Sequence, residues 1–177
     1  MSKKKQPRAA VQDRKYLKVA LLFFVTTVML DLCIWLATDQ LSFFNIFTAW
    51  VMTGLIQLSG MQATMHGEAI ALVNSNWLMT TECTGIYIMG IYASFILTYP
   101  VTPRAKGIAL LAGIPFIYGA NIIRLYMMAW IDKLTPEYSE YFHNYMWQGV
   151  FIVMVVLMWI LWIDKVADRE AKTAVSR

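Results

Sequence analysis

The segment Met146–Ile163, MWQGVFIVMVVLMWILWI, decides the fold class. A bilayer core is about 30 Å thick, and a helix needs roughly 20 mostly apolar residues to cross it. This run has that length and carries no charge. Three further stretches share the property. Leu17–Ala37 is interrupted by a single acid, Asp31; Thr84–Tyr99 is bounded by Pro100 and Pro103; Gly107–Trp130 contains Pro115, Asn121 and Arg124. The rest of the chain agrees. Its 177 residues are 59% hydrophobic, 14% aromatic and 15% charged, with a mean hydropathy of +0.53. A soluble domain is about 45–50% apolar and about 25% charged. Disorder and ordinary water-soluble globularity are therefore excluded, and an all-α polytopic membrane protein with about four transmembrane helices is expected.

Phe43–Ser59 is a different kind of segment. Phe43, Phe47, Trp50, Val51, Leu55 and Leu58 recur at helical spacing, while Asn45, Thr48, Thr53 and Gln57 fall mostly elsewhere around the helix. A helix with two such faces suits the membrane interface better than the bilayer core. Charge supports that placement. Thirteen of the fifteen Lys and Arg residues lie before or at the opening of the first span, between the second and third spans, or after the fourth. Residues 38–82 contain neither residue type. The positive-inside rule then puts both termini in the cytoplasm and residues 38–82 and 131–145 outside. Making Phe43–Ser59 a crossing would move Arg104 and Lys106 to the outer side. The expected organisation is a basic cytoplasmic tail (1–16), a membrane-embedded domain (17–165) and a second cytoplasmic tail (166–177). The spans are 17–37, 84–99, 107–130 and 146–163, with an interfacial helix at 43–59.

The N-terminal apolar run is longer than the 7–15 residues of a secretion-signal core, and no clear Ala-x-Ala site follows it, so a retained anchor is expected. The basic flanks are suited to attract anionic lipid. Trp147 and Trp162 are expected as interfacial anchors of a lipid-facing helix. Residues 61–82 change character: Met61, Ala63 and Met65 alternate with Gln62 and Thr64, and His66-Gly67 and Asn74-Ser75-Asn76 read as turns. This predicts a small extracytoplasmic meander of two or three strands, which runs directly into Glu82-Cys83-Thr84-Gly85.

Ionisable and reactive groups near a span are functional candidates. Arg124 lies 18 residues past Lys106, which is about 27 Å of helix. Cys83 lies 17 residues before Pro100, about 26 Å, and His143 lies 21 residues before Asp164, about 31 Å. Three reactive types thus reach a similar height at the outer face, although height says nothing of lateral position. Their chemistry is coherent. A cysteine attacks as thiolate, which a guanidinium, a protonated imidazole or a helix N-terminus favours. An imidazole can move the proton between thiol and leaving amine, and a fixed positive charge can hold an oxyanion.

The ordered set Glu82-Cys83-Thr84-Gly85, Asn121-Ile122-Ile123-Arg124 and His143 resembles the exosortase/archaeosortase family, which shows Cys-Ser-Gly, Asn-x-x-Arg and a later His in this order. The resemblance covers roughly residues 40–165, and the short single-domain length is similar to compact exosortases such as the H type. It implies a membrane cysteine transpeptidase or protease with Cys83 as nucleophile, Arg124 as oxyanion or thiolate partner and His143 as acid/base. Asn121, Glu82, Thr84 and Gly85 would support them. It further implies substrate proteins with a C-terminal sorting signal, made of a short motif, a transmembrane helix and a basic tail. These would be cleaved through a thioester and passed to an outer-face acceptor such as a lipid or glycan. The setting would be the cytoplasmic (inner) membrane with the site on its extracytoplasmic face. Thr84 stands for the usual Ser and keeps the hydroxyl. Glu82 stands where a small residue is common, and its carboxylate opposes a thiolate unless Arg124 neutralises it.

Other readings compete. Cys83 can be an apolar filler, or pair with Cys33 in a disulfide. Arg124 can form an ion pair with Asp31, and Asn121 can orient Arg124 or tie two helices together. His66 reads as a turn residue. Two histidines and Cys83 lack the ligand number and spacing of a zinc site, so neither a metal nor another cofactor is expected, and no nucleic-acid partner either. The alternatives for the whole protein are a non-catalytic assembly factor or adaptor for envelope or polysaccharide export, and a small transporter with Arg124 in its pathway.

Overall fold

The computed structural model describes residues 8–72, 75–135, 137, 141–142 and 146–167. Five helices and a small sheet are seen among the described residues. Helix α1 is Arg8–Leu36, followed by a 3-10 turn at Thr38–Leu41 and by α2, Ser42–Leu58. Strands β1 (Ala63–His66), β2 (Ala69–Leu72) and β3 (Asn76–Leu78) come next, then a second 3-10 turn at Thr81–Thr84. Helices α3 (Ile86–Thr98), α4 (Pro103–Leu134) and α5 (Trp147–Trp162) follow, and a π-helical turn at Ile163–Ala167 continues α5. The mainly helical membrane fold with a small sheet is the one expected from the sequence.

The helix boundaries follow from local chemistry. Thr102 caps α4: its hydroxyl accepts from the Ala105 amide at 3.4 Å, and Pro103 occupies the first helical position. Pro100 bars the continuation of α3, which ends at Thr98. α1, α4 and α5 present apolar side chains outward, among them Phe24, Leu111, Phe116 and Ile152. Four segments reach the length and apolarity of a membrane span: Leu17–Leu36, Thr38–Leu58, Pro103–Leu134 and Trp147–Lys165. This set contains α2, whereas α3 has only 13 residues, about 20 Å of helix.

α3 nevertheless sits inside the bundle, against α1, α4 and α5. Small residues allow the close approach. A Cβ on Gly113 of α4 would strike the Tyr92 ring of α3, and one on Gly90 would lie 3.3 Å from Ile34 of α1. The Tyr92 hydroxyl donates to the Ala109 carbonyl at 3.1 Å, so its polar end is satisfied inside the bundle. Aromatic rings fill the space between α1, α3 and α5, with Phe95 and Trp159 stacked at 4.4 Å between centroids and Phe23 edge-on to both. Trp147 and Trp162 correct the expectation of interfacial anchors. Both are buried; Trp147 Nε1 donates to Met128 Sδ at 3.1 Å and Trp162 packs edge-on against Tyr99. They face α4 and the α3–α4 connection rather than lipid.

The three strands form an antiparallel sheet in the order β1-β2-β3. The first turn is Gly67-Glu68, with Gly67 at φ 62°. Alternation along the strands is regular: Ala63, Ile70 and Met79 are buried, whereas Thr64, His66, Asn76 and Leu78 are exposed. The buried face joins α2 and the last turns of α4 in one core of Met52, Ile56, Ile70, Met79, Ile122 and Leu125, among others. A second core lies between α3, α4 and α5. α2 turns its polar side inward, burying Asn45, Thr48 and Thr53, and its apolar side outward, with Phe43, Trp50 and Leu58 exposed. Phe44 and Thr48 meet Tyr118, while Leu55 and Leu58 line a cavity with Ile122 and Tyr126. About 21 Å of α2 (residues 44 to 58) thus passes over about 12 Å of α4 (118 to 126), an oblique crossing.

Candidate active site

The site lies where the two cores meet. Cys83 belongs to the 3-10 turn between β3 and α3 rather than to the first turn of α3 itself. Its amide donates to the Thr80 carbonyl at 2.9 Å. Thr84, fully buried, donates its hydroxyl to the Thr81 carbonyl at 2.6 Å and closes the same turn. That bond is why a hydroxyl residue suits position 84. Gly85 then reverses the backbone at φ 78°, a left-handed conformation that favours glycine. A side chain there would also come within 3.1 Å of Asn121 Cγ. Turn, glycine and helix start therefore require the local order Cys-Thr-Gly.

α4 supplies the opposing wall. Asn121, fully buried, donates its Nδ2 to the Cys83 carbonyl at 2.8 Å. Arg124 follows one turn later on the same helical face. The Asn-x-x-Arg spacing thus has a geometric sense: the first residue holds the carbonyl of the cysteine and the second lies one turn further on the same face of α4. This relation also answers the tie-or-orient question for Asn121, which binds α4 to the cysteine turn.

Arg124 is held from below by an aromatic ring, with its Cζ 5.6 Å from the Phe151 centroid on α5. Among the described residues its Nε is buried without a hydrogen-bond partner, and so is Asn121 Oδ1. Buried polar atoms of this kind are normally satisfied, by protein, water or ligand. A guanidinium with a donor left free, on the helix that binds the cysteine turn, has the chemistry to hydrogen-bond an oxyanion. Thr80 adds a hydroxyl at 3.4 Å from Cys83 Sγ.

Glu82 points to solvent, and among the described residues no ion pair joins it to Arg124. The proposed Arg124–Asp31 pair is also absent among them. Asp31 instead lies against Gly90 of α3, its Oδ1 buried without a partner. Cys33 is exposed on α1, and both cysteines are free thiols. His66 lies exposed at the end of β1. No group of three or more potential metal ligands occurs among the described residues. His143 lies outside the described residues. Of the expected residues, the structure gathers Cys83, Thr84, Gly85, Asn121 and Arg124 and turns Glu82 away.

Sequence reasoning missed Thr80 and Phe151. Thr80 had a signal, since position i−3 in a tight turn returns to the side chain of residue i. Phe151 had none, being one apolar residue among many in α5.

No curated protein and no solved structure matches the chain. Residues 9–162 match the family model of the transmembrane exosortases, a span that includes both the cysteine turn and the α4 face opposing it. The chain belongs to the transmembrane exosortase family.

Proposed function

We propose that this integral membrane protein is a thiol transpeptidase acting on exported proteins that carry a C-terminal sorting signal. The observation that carries the reading is the Asn121–Cys83 hydrogen bond, which brings the cysteine turn against the face of α4 that also bears Arg124. In the first step the Cys83 thiolate attacks the carbonyl carbon of the scissile peptide bond, and Arg124 stabilises the oxyanion. The C–N bond breaks, and the leaving amine takes the proton that the thiol had released. His143 is the residue assigned to carry that proton. In the second step a hydroxyl, amine or water attacks the thioester, its own proton leaves, and the Cys83 thiolate is regenerated. Phe151 shields one face of the guanidinium and restricts water there, which strengthens the charge interaction.

The orientation proposed is both termini cytoplasmic, in the inner membrane, with the sheet and the site on the extracytoplasmic side. The absence of Lys and Arg from residues 38–82 supports the side, and three features support a site beyond the hydrocarbon. An open-edged sheet does not survive in hydrocarbon, where each unpaired backbone group costs several kcal/mol. α4 has 32 residues, about 48 Å, so its last turns project well beyond a core about 30 Å thick. The sheet packs on those last turns, and α2 crosses α4 obliquely beside it. α2 then lies in the outer interface with its apolar face to lipid, and α3 is the short second span.

The test is processing of an exported reporter whose tail carries a short motif, a transmembrane helix and basic residues, taken from a protein of the same host. Cys83→Ala should leave the reporter uncleaved while the protein itself accumulates in the membrane at normal levels. Continued cleavage in that variant would refute the thiol mechanism and favour the adaptor reading.

A further inference from the structure

The sheet has two edges, and they differ. The bonds from Leu72 N to Ser75 O (2.8 Å) and from Met79 N to Glu68 O (2.9 Å) set the phase of β3. Ser75 and Met79, with Trp77 between them, direct their backbone groups at β2; Asn76, Leu78 and Thr80 direct theirs away. At the other edge, β1 is covered: α2 runs alongside, and the Ala63 carbonyl accepts from Gln57 Nε2 at 2.8 Å. Among the described residues no backbone bond reaches the outward groups of Asn76 or Leu78. Their side chains are exposed, Leu78 by 61%.

Proteins usually blunt such an edge with charge, proline or a bulge. Residues 75–80, Ser-Asn-Trp-Leu-Met-Thr, have neither a charged residue nor a proline. The edge also leads somewhere. Thr80 continues it in an extended conformation (φ −87°, ψ 164°), and its hydroxyl lies 3.4 Å from Cys83 Sγ. The edge therefore leads into the cysteine turn, where the Thr80 carbonyl is taken by the Cys83 amide and the free outward groups are those of Asn76 and Leu78. Only another extended backbone satisfies alternate N–H and C=O groups at this spacing.

We propose that the open edge of β3 binds the extended polypeptide just ahead of the scissile bond as a fourth strand, laying its carbonyl beside Cys83. This rests on the peptide-transferring activity proposed above. Main-chain pairing supplies affinity there, and the side chains of alternate substrate residues fall on the outer face beside Asn76 and Leu78.

The test uses the full-length protein in membranes and the same tailed reporter. Leu78→Pro removes an outward N–H while leaving the β2–β3 bonds, a placement that edge strands tolerate. It should lower reporter processing about tenfold or more, whereas Leu78→Thr, which keeps the donor and changes only the side chain, should lower it clearly less. Alkylation of Cys83 by iodoacetamide should keep its wild-type rate in both, showing an intact site. Normal processing by Leu78→Pro overturns the proposal while leaving the Cys83→Ala result, and hence the thiol mechanism, untouched. If Leu78→Pro fails to accumulate, a second measurement decides. Asn76→Cys, combined with Cys33→Ala and Cys83→Ala, should form disulfides with cysteines scanned along the reporter, with a period of two residues. Crosslinks without that period, none at all, or only dimers of the protein itself would overturn it.

Discussion

The side-chain amide of Asn121 donates to the backbone carbonyl of Cys83 at 2.8 Å, across a helix boundary and 38 positions of sequence. This bond sets how far the cysteine turn sits from α4, and so how far the sulfur sits from Arg124. Asn121→Ala removes the donor and should lower the rate of thioester formation about tenfold, the effect of one buried hydrogen bond. Single-turnover acylation checks it. Asn121→Asp, which cannot donate when ionised, should be at least as impaired.

Arg124→Ala should abolish reporter processing, because no fixed positive charge then meets the oxyanion of the first step. Arg124→Lys keeps the charge but loses the planar fork and should restore processing only in part. Full recovery by Arg124→Lys would mean that the guanidinium geometry has no part in the reaction.

Gly85→Ala places a side chain at φ 78° and 3.1 Å from Asn121 Cγ. A cost of about 1–3 kcal/mol is expected, seen as a lower melting temperature in detergent and as loss of processing. Gly54→Ala is the control, since a Cβ there meets nothing within 4 Å.

Gly113→Ala should destabilise the α3–α4 contact because the Tyr92 ring occupies the space of the new methyl group. Tyr92→Phe removes the bond to the Ala109 carbonyl and should cost about 1 kcal/mol. Thermal unfolding in detergent measures both, and Gly113→Ala should be the more damaging.

The proposed orientation is tested with single cysteines in a Cys33→Ala, Cys83→Ala background. A membrane-impermeant maleimide added outside intact cells should label Asp39→Cys and Thr64→Cys and spare Lys106→Cys. Labelling of Asp39→Cys without Thr64→Cys would mean that α2 crosses the membrane.

Much of this protein was legible residue by residue. The uncharged run at Met146–Ile163 declares a helix in lipid because a bilayer offers no partner for charge or for open backbone. The alternation through residues 61–82 declares a half-buried sheet because strands have a period of two. Cys-Thr-Gly and Asn-x-x-Arg stand out because each spacing has a local meaning, a tight turn in one case and one helical face in the other. Distance along a helix axis, such as that from Lys106 to Arg124 within α4, followed as well, since helix rise is constant. Lateral position did not. Only packing decided that α4 presents Asn121 and Arg124 to the cysteine turn, that Phe151 lies under the guanidinium, and that Glu82 and Asp31 stay away from it. The apolar surfaces of Trp147 and Trp162 give no sign of whether lipid or protein covers them, because both are equally apolar to a side chain in a span. The tertiary structure settles this through steric fit, such as the Gly113–Tyr92 contact, which depends on residues far apart in sequence.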